Sequence, residues 1–167
     1  MSREISCNEY AGKVLDMIEK GAFLTTATDN KTNTMTIGWG SVGVIWGKPI
    51  FTVLVRQSRF TRDLIEESGE FTVSIPFGDM REALNFCGSK SGRDFNKFNA
   101  AGLVLEPGKK VATPVIAGCN LHYECKIVYK QPMIPTALDR GYQNRCYKKG
   151  DYHTMYFGEI IAAYVTE

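Results

Sequence analysis

The pattern that most constrains this chain lies in its last third. Cys119, Leu121, Tyr123, Cys125, Ile127 and Tyr129 alternate with Asn120, His122, Glu124, Lys126 and Lys130. A two-residue period sustained this long sends alternate side chains to opposite faces, and predicts a long strand with one buried and one mostly wet face. His153 to Val165 reads as a second long strand, apolar on both faces. Strands of this length need a sheet to sit in.

The rest of the chain supplies one. Phe23 to Thr28 is rich in β-branched and aromatic residues, Asp29-Asn30-Lys31 offers a turn, and Thr34 to Ser41 follows as a strand, so the pair predicts a hairpin. After the turn residues Trp46-Gly47-Lys48-Pro49, the nearly continuous apolar run Ile50 to Val55 predicts a strand buried on both faces. Phe71 to Ile75 predicts another. Helical periods are short. Tyr10, Val14, Met17 and Ile18 recur behind the capping-box spacing of Ser6 and Glu9 and stop at Gly21; Thr61 to Ser68 ends at Gly69. Met80 to Phe86 and Asp94 to Ala100 flank the small-residue loop Cys87 to Gly92. Gln131 to Gly150, with two prolines, several charges and no clear period, predicts a long surface excursion. Six or more strands with three or four short helices, and no strand-helix alternation, predict a mainly β chain. The expected architecture is an antiparallel barrel with helices at its rim, forming a single domain over residues 1–167.

The formal net charge is +2, from 20 basic and 18 acidic side chains scattered rather than blocked. This predicts neither a nucleic-acid nor a membrane-surface role. No apolar run approaches the roughly 20 residues that span a bilayer. Five cysteines (Cys7, Cys87, Cys119, Cys125 and Cys146), with no secretory leader and no two-residue pairing, predict reduced thiols in a cytoplasmic protein. Only His122 and His153 are available as imidazoles, so no metal site is expected. Fingerprints for a dinucleotide fold, a P-loop, a zincin and an α/β-hydrolase are all missing.

Chemistry concentrates in four places. Arg56, Ser58, Arg59 and Thr61 stand where a buried strand gives way to a helix, and free N–H groups, the helix dipole and guanidinium forks there suit an anion. Ser89, Lys90, Ser91, Gly92 and Arg93, with Lys97 a turn further on, form a second candidate anion cradle; Cys87 and Gly88 precede it. Trp39 follows Gly38 on a strand where Thr34, Thr36 and Ser41 offer hydroxyls, a surface that can meet the polar edge and the face of a flat ring. Core packing of Trp39, solvated arginines and simple helix capping by Ser58 are the plainer readings of the same residues. His153 opens the last strand with Phe157 on the same face, placed to touch a cofactor, a nicotinamide or solvent.

Five segments in order then resemble the flavin reductase-like family, close to the flavoredoxins: Met35 to Ser41, Val55 to Thr61, Ser68 to Pro76, Cys87 to Phe98 and Asp151 to Ile160. The resemblance implies an FMN-binding split β-barrel, with noncovalent FMN at a homodimer interface. It implies Thr34, Thr36, Ile37, Gly38, Trp39 and Ser41 against the isoalloxazine and Arg56 to Thr61 at the phosphate. Cys87, Gly88, Ser89, Ser91, Gly92 and Lys97 would add polar contacts, with His153 and Phe157 near the ring. The implied activity passes electrons from NAD(P)H through FMN to a small acceptor or partner protein, with no obligatory protein nucleophile and His153 as the one candidate catalytic side chain. A noncatalytic FMN-binding electron carrier is the alternative, and an oligonucleotide-binding barrel a third, disfavoured by the charge balance.

Overall fold

A computed structural model describes residues 2–166. In chain order the elements are β1 (Ser2–Glu4), α1 (Ala11–Ile18), β2 (Ala22–Ala27), β3 (Thr32–Ile37), β4 (Gly40–Ile45), β5 (Lys48–Arg56), α2 (Phe60–Ser68), β6 (Glu70–Ile75), α3 (Arg81–Ser89), α4 (Lys97–Ala101), β7 (Leu105–Glu106), β8 (Val115–Ile116), β9 (Leu121–Pro132), a 3-10 turn (Pro135–Ala137), α5 (Arg140–Cys146) and β10 (His153–Thr166). The main sheet runs β3-β2-β6-β9-β10-β5-β4, with β1 on the far end of β10, and its pairings are antiparallel. The mainly β expectation and the β2–β3 hairpin are observed.

The expected strand Thr34 to Ser41 is instead two strands. Pairing stops at Ile37 and resumes at Gly40, and the two pieces lie at opposite ends of the sheet order. The chain therefore turns a corner at Gly38-Trp39, and the barrel is split between β3 and β4. Ile18 of α1 plugs this seam: a Cβ on Gly40 would lie 2.9 Å from Ile18 Cδ1. Val14, Met17 and Ile18 join Leu24, Phe51, Phe71, Tyr123 and Tyr156 in the barrel core, while Phe23, Leu84, Cys87, Leu103, Ile116 and Cys119 form a second cluster under α3 and α4. At Gly158 the sheet leaves no room for a side chain, since an added Cβ would sit 2.6 Å from Phe71 Cζ and 2.7 Å from Cys125 Cβ. The β9–β10 register slips at that residue, letting the ladder bend around the core.

Other boundaries move for identifiable reasons. The capping box does not form: Ser6 Oγ donates to Asn8 Oδ1 at 2.9 Å, Arg3 takes the Glu9 carboxylate at 2.8 Å, and α1 starts only at Ala11. β5 buries one face, leaving Thr52 and Leu54 half-buried. The wet face expected of β9 is dry in its first half, where His122 and Glu124 are buried. There the loop after β7 crosses the strand and lends Glu124 the backbone N–H groups of Lys109, Lys110 and Val111 at 2.6–3.1 Å. The excursion 131–150 is largely ordered secondary structure, with β9 reaching Pro132 and α5 capped by Asp139, whose carboxylate accepts from Gly141 N at 2.9 Å. No helix among the described residues is long and apolar enough to cross a membrane.

Candidate functional site

The register of the sheet assembles the site. β10 pairs with β5 so that His153 lies opposite Arg56, and the Gly38-Trp39 corner brings the indole to His153, with ring centroids 5.2 Å apart. The helix α3 continues through Cys87, Gly88 and Ser89 rather than yielding to a loop at Cys87, so its C-terminal end points at the same place. A helix end leaves backbone carbonyls without intrahelical partners, and cations satisfy them well. Lys97 Nζ donates to Cys87 O at 2.8 Å and Arg59 Nη1 donates to Gly88 O at 2.9 Å. The end of α3 thereby fixes two cations.

Between these elements runs a groove with two lobes. The inner lobe, about 170 Å³, is lined by Met35, Thr36, Ile37, Gly38, Trp39, Leu54, Arg56, Arg59 and His153. The outer lobe, also about 170 Å³, is lined by Asn33, Met35, Arg56, Ser58, Arg59, Phe60, Thr61, Ser89, Lys90, Ser91, Gly92, Lys97 and Asp151. Met35, Arg56 and Arg59 belong to both, so an apolar and aromatic end opens into a cationic, hydroxyl-rich one. Gly92 is essential to the wall: a Cβ there would fall 2.0 Å from Asn33 Oδ1, and Asn33 in turn donates to Thr61 Oγ1 at 2.9 Å. A broader depression of about 960 Å³ lies over α3 and α4, is lined by Asp79, Arg81 and Glu82 among others, and shares no residue with the groove.

The electrostatics of the groove are lopsided. Lys97 is 3% exposed, its hydrogen bonds go to two backbone carbonyls (Thr34 O at 2.9 Å and Cys87 O), and among the described residues it forms no salt bridge. Burial pushes its ammonium down to about 8, with Cys87 opposing and Arg59 adding to the fall. Arg56 is likewise spent on carbonyls, those of Asp151 at 2.8 Å and Cys146 at 3.2 Å. The one carboxylate at the rim, Asp151, accepts from Ser58 N at 3.0 Å and Ser58 Oγ at 2.6 Å. Burial would raise that carboxyl, but the Ser58 hydrogen bonds and Arg56 hold it below its ordinary value. His153 is pushed down to about 4 by burial, then by Arg56, against Asp151, and by Arg59, so it is neutral near pH 7.

Fourteen of the residues singled out from sequence line the groove: Thr36, Ile37, Gly38, Trp39, Arg56, Ser58, Arg59, Thr61, Ser89, Lys90, Ser91, Gly92, Lys97 and His153. Thr34, Cys87 and Gly88 lie behind it and act through their carbonyls, which hold Lys97 and Arg59. Ser41 sits exposed on β4 opposite Thr52, outside the groove. Phe157 packs with Trp46 and Tyr129, centroids 6.3 and 5.4 Å away, in a separate, partly exposed aromatic cluster. Ser58 does not cap α2; Arg59 holds the N-cap position without a side-chain hydrogen bond. Sequence reasoning reached Phe60 only within the segment Arg56 to Thr61, and did not single out Asn33, Met35, Leu54, Asp151 or, beside His153, Tyr147. Asp151 carries the only local signal: it follows Gly150, and both have positive φ, 55° and 73° respectively.

A model of the flavin reductase like domain matches residues 16–167. An uncharacterized protein of Archaeoglobus fulgidus is 30% identical over 139 residues, covering 83% of this chain and 68% of that protein. The flavoredoxin of Methanosarcina acetivorans is 30% identical with a TM-score of 0.69, over 88% of this chain and 68% of that one. An FMN-binding domain of a flavin reductases-like enzyme from Shewanella baltica, at 20% identity, shares the fold with a TM-score of 0.71 over 99% of this chain and 77% of its own.

Proposed function

The chain belongs to the flavin reductase-like family, and on the geometry of its groove we propose that it is an FMN-dependent oxidoreductase that moves electrons from NAD(P)H to a small acceptor or partner protein. One observation carries the reading. Lys97 is a buried ammonium with no carboxylate partner among the described residues, facing a cavity beside Arg59 and Arg56. An uncompensated buried charge is costly unless something answers it, and a phosphate would do so with charge-assisted hydrogen bonds. Trp39, 44% exposed at the other lobe, offers a flat face for a ring.

In this reading Arg59, Lys97, Ser89 and Ser91 hold the phosphate of a noncovalent FMN, while Met35, Leu54 and Trp39 contact its ring and His153 meets a polar edge. Bound there, flavin supplies the hydride and electron chemistry; the protein supplies orientation, field and access. The inner lobe is smaller than the 300 to 1,000 Å³ that small-molecule sites generally enclose, so we propose that a second copy of the chain completes the cover. The exposed rings of Trp46 and Tyr129, packed with Phe157, suit such a contact. We place the protein in the cytoplasm, with its thiols reduced.

The test is an FMN titration of the purified protein followed by visible absorption, then steady-state NADH and NADPH oxidation by the loaded protein. A shifted flavin band saturating at one FMN per chain, with nicotinamide oxidation, is the expected result. Binding without oxidation would assign the chain to noncatalytic electron carriage, and an unperturbed spectrum would sink the flavin reading altogether.

A further inference from the structure

α5 and the residues flanking it lie outside the groove, yet Tyr147 at its C-terminal end supplies the nearest polar contact of the one imidazole that lines it. Tyr147 Oη is 2.6 Å from His153 Nδ1 and 3.1 Å from Met133 Sδ. The phenol is held firmly: its ring stacks on Tyr152 with centroids 4.8 Å apart and planes 15° apart, and the Arg56 guanidinium lies 5.1 Å from its centroid. Gln143 of α5 donates to Tyr152 Oη at 2.9 Å and secures the second ring. Tyr147 is 6% exposed, and its hydroxyl cannot turn to solvent as a surface tyrosine would.

We infer that Tyr147 is a positioning residue: its hydroxyl donates to His153 Nδ1, fixes the tautomer with the proton on Nε2, and so presents a neutral N–H donor to the inner lobe beside Trp39. Chemistry chooses between the two arrangements, and the short separation of 2.6 Å is compatible with a hydroxyl donor. The phenol has a single proton, and an imidazole nitrogen is a far stronger acceptor than the Met133 thioether, which therefore serves as packing. Among the described residues Nε2 has no hydrogen-bond partner and is not a buried orphan, so it opens to the groove that His153 lines.

The charged and titratable groups around this imidazole are Arg56 from β5, Arg59 before α2, Asp151 ahead of β10 and Tyr147 after α5. Burial first, then two cations against one carboxylate, keep the ring from gaining a second proton, and a donor bond into Nδ1 works in the same direction by stabilising the neutral form. The result is a donor that stays uncharged near neutral pH. Resting on the flavin reading, this N–H would donate to an electron-rich atom of the flavin or to the nicotinamide carboxamide oxygen, and would strengthen as negative charge builds there. The stretch 131–150 gains a role: it orients the imidazole without touching the cofactor.

The experiment is ¹⁵N NMR of protein labelled at histidine, which has only two such residues to assign. The expected result at pH 7, before any flavin is added, is a protonated Nε2 and an unprotonated, hydrogen-bonded Nδ1 for His153; a proton on Nδ1 overturns the inference. In Tyr147→Phe the Nδ1 signal should lose its hydrogen-bond shift, and the His153 titration midpoint should rise by roughly half a unit to one unit. An unchanged midpoint and Nδ1 shift would equally overturn it. Turnover of the FMN-loaded variant should fall roughly 3- to 10-fold with its FMN affinity nearly unchanged. FMN added to the same labelled sample separates the two ideas: no flavin binding with the expected tautomer removes the flavin reading alone, while flavin binding with the opposite tautomer removes the role of Tyr147 alone. The wild-type spectrum decides the tautomer even if the variant fails to fold.

Discussion

Two buried charges in this barrel are treated in opposite ways. Glu124, fully buried on β9, accepts from the backbone N–H groups of Lys109, Lys110 and Val111 and from Tyr164 Oη at 2.8 Å. His122 beside it is pushed down to about 4 by burial and bonds Ser74 and the Cys119 carbonyl, each at 3.1 Å. This network closes on itself and straps a loop to the sheet. Lys97, just as deep, meets carbonyls on one side and a cavity on the other. A charge that the protein satisfies completely belongs to the fold; a charge left half-answered beside a cavity belongs to a ligand.

The largest effect should come from breaking the closed network. Glu124→Leu leaves three loop N–H groups and a phenol without an acceptor, and should cost about 3–5 kcal/mol in urea unfolding, with the FMN affinity of the folded fraction preserved. A loss below about 1 kcal/mol would show that water replaces the carboxylate and that the strap is incidental. The open site should behave in the reverse sense. Lys97→Met removes the cost of a buried ammonium but leaves the Thr34 and Cys87 carbonyls without that donor, so the two effects oppose and stability should change by no more than about 1 kcal/mol. FMN affinity, read by the same titration, should drop roughly 10- to 100-fold, the worth of a hydrogen bond to a charged group. A variant that loses stability and keeps its flavin would invert the comparison.

Gly92→Ala probes the wall of the groove itself. The new Cβ would displace Asn33, break its hydrogen bond to Thr61 and shift the loop that carries Ser91 and Lys97. We expect a roughly tenfold weaker FMN complex and about 1–2 kcal/mol of lost stability. Equal affinity in the variant would mean that the 90–96 loop is not part of the cofactor site.

How much of this was readable in advance follows the range of the interactions. Local signals survive: Gly69 ends α2 in the left-handed conformation, the Asp29 to Lys31 turn makes its hairpin, and the basic strand end at Arg56 marks the groove. Features made by distant contacts do not. The corner at Trp39 looks like uninterrupted strand because only the barrel's closure, between residues far apart in sequence, decides where pairing stops. Glu124 reads as solvent-facing because the loop that dries it lies 13 to 15 residues away and has no period of its own, and His122 because its partner Ser74 lies 48 residues away. Helix α5 went unseen since its residues carry no apolar stripe; Asp139 caps it and tertiary contact keeps it. Thr34, Cys87 and Gly88 were singled out for side chains or flexibility, whereas their backbone oxygens hold the cations.

The finest discriminator between the two charges is pH. In the free protein burial lowers Lys97 from its ordinary 10.5 to about 8. Its folded value is thus depressed, and between about pH 8 and 10.5 the unfolded chain holds more protons than the folded one. The penalty of burying the charge is therefore fully present below pH 8 and is relieved as pH rises through that window, so this group's contribution to stability improves on the alkaline side. Phosphate affinity must run the other way, because only the protonated amine answers an anion: it is retained below about pH 8 and lost above it. Urea unfolding and FMN titration at pH 7 and pH 9.5, compared between wild type and Lys97→Met, isolate this group from the cysteines and tyrosines that titrate nearby. Wild type should gain stability relative to the variant while its FMN affinity falls toward the variant's. Flavin affinity that stays level across that range, in a protein that still binds FMN at pH 7, would mean that Lys97 holds up the end of α3 and that Arg56 and Arg59 carry the phosphate without it.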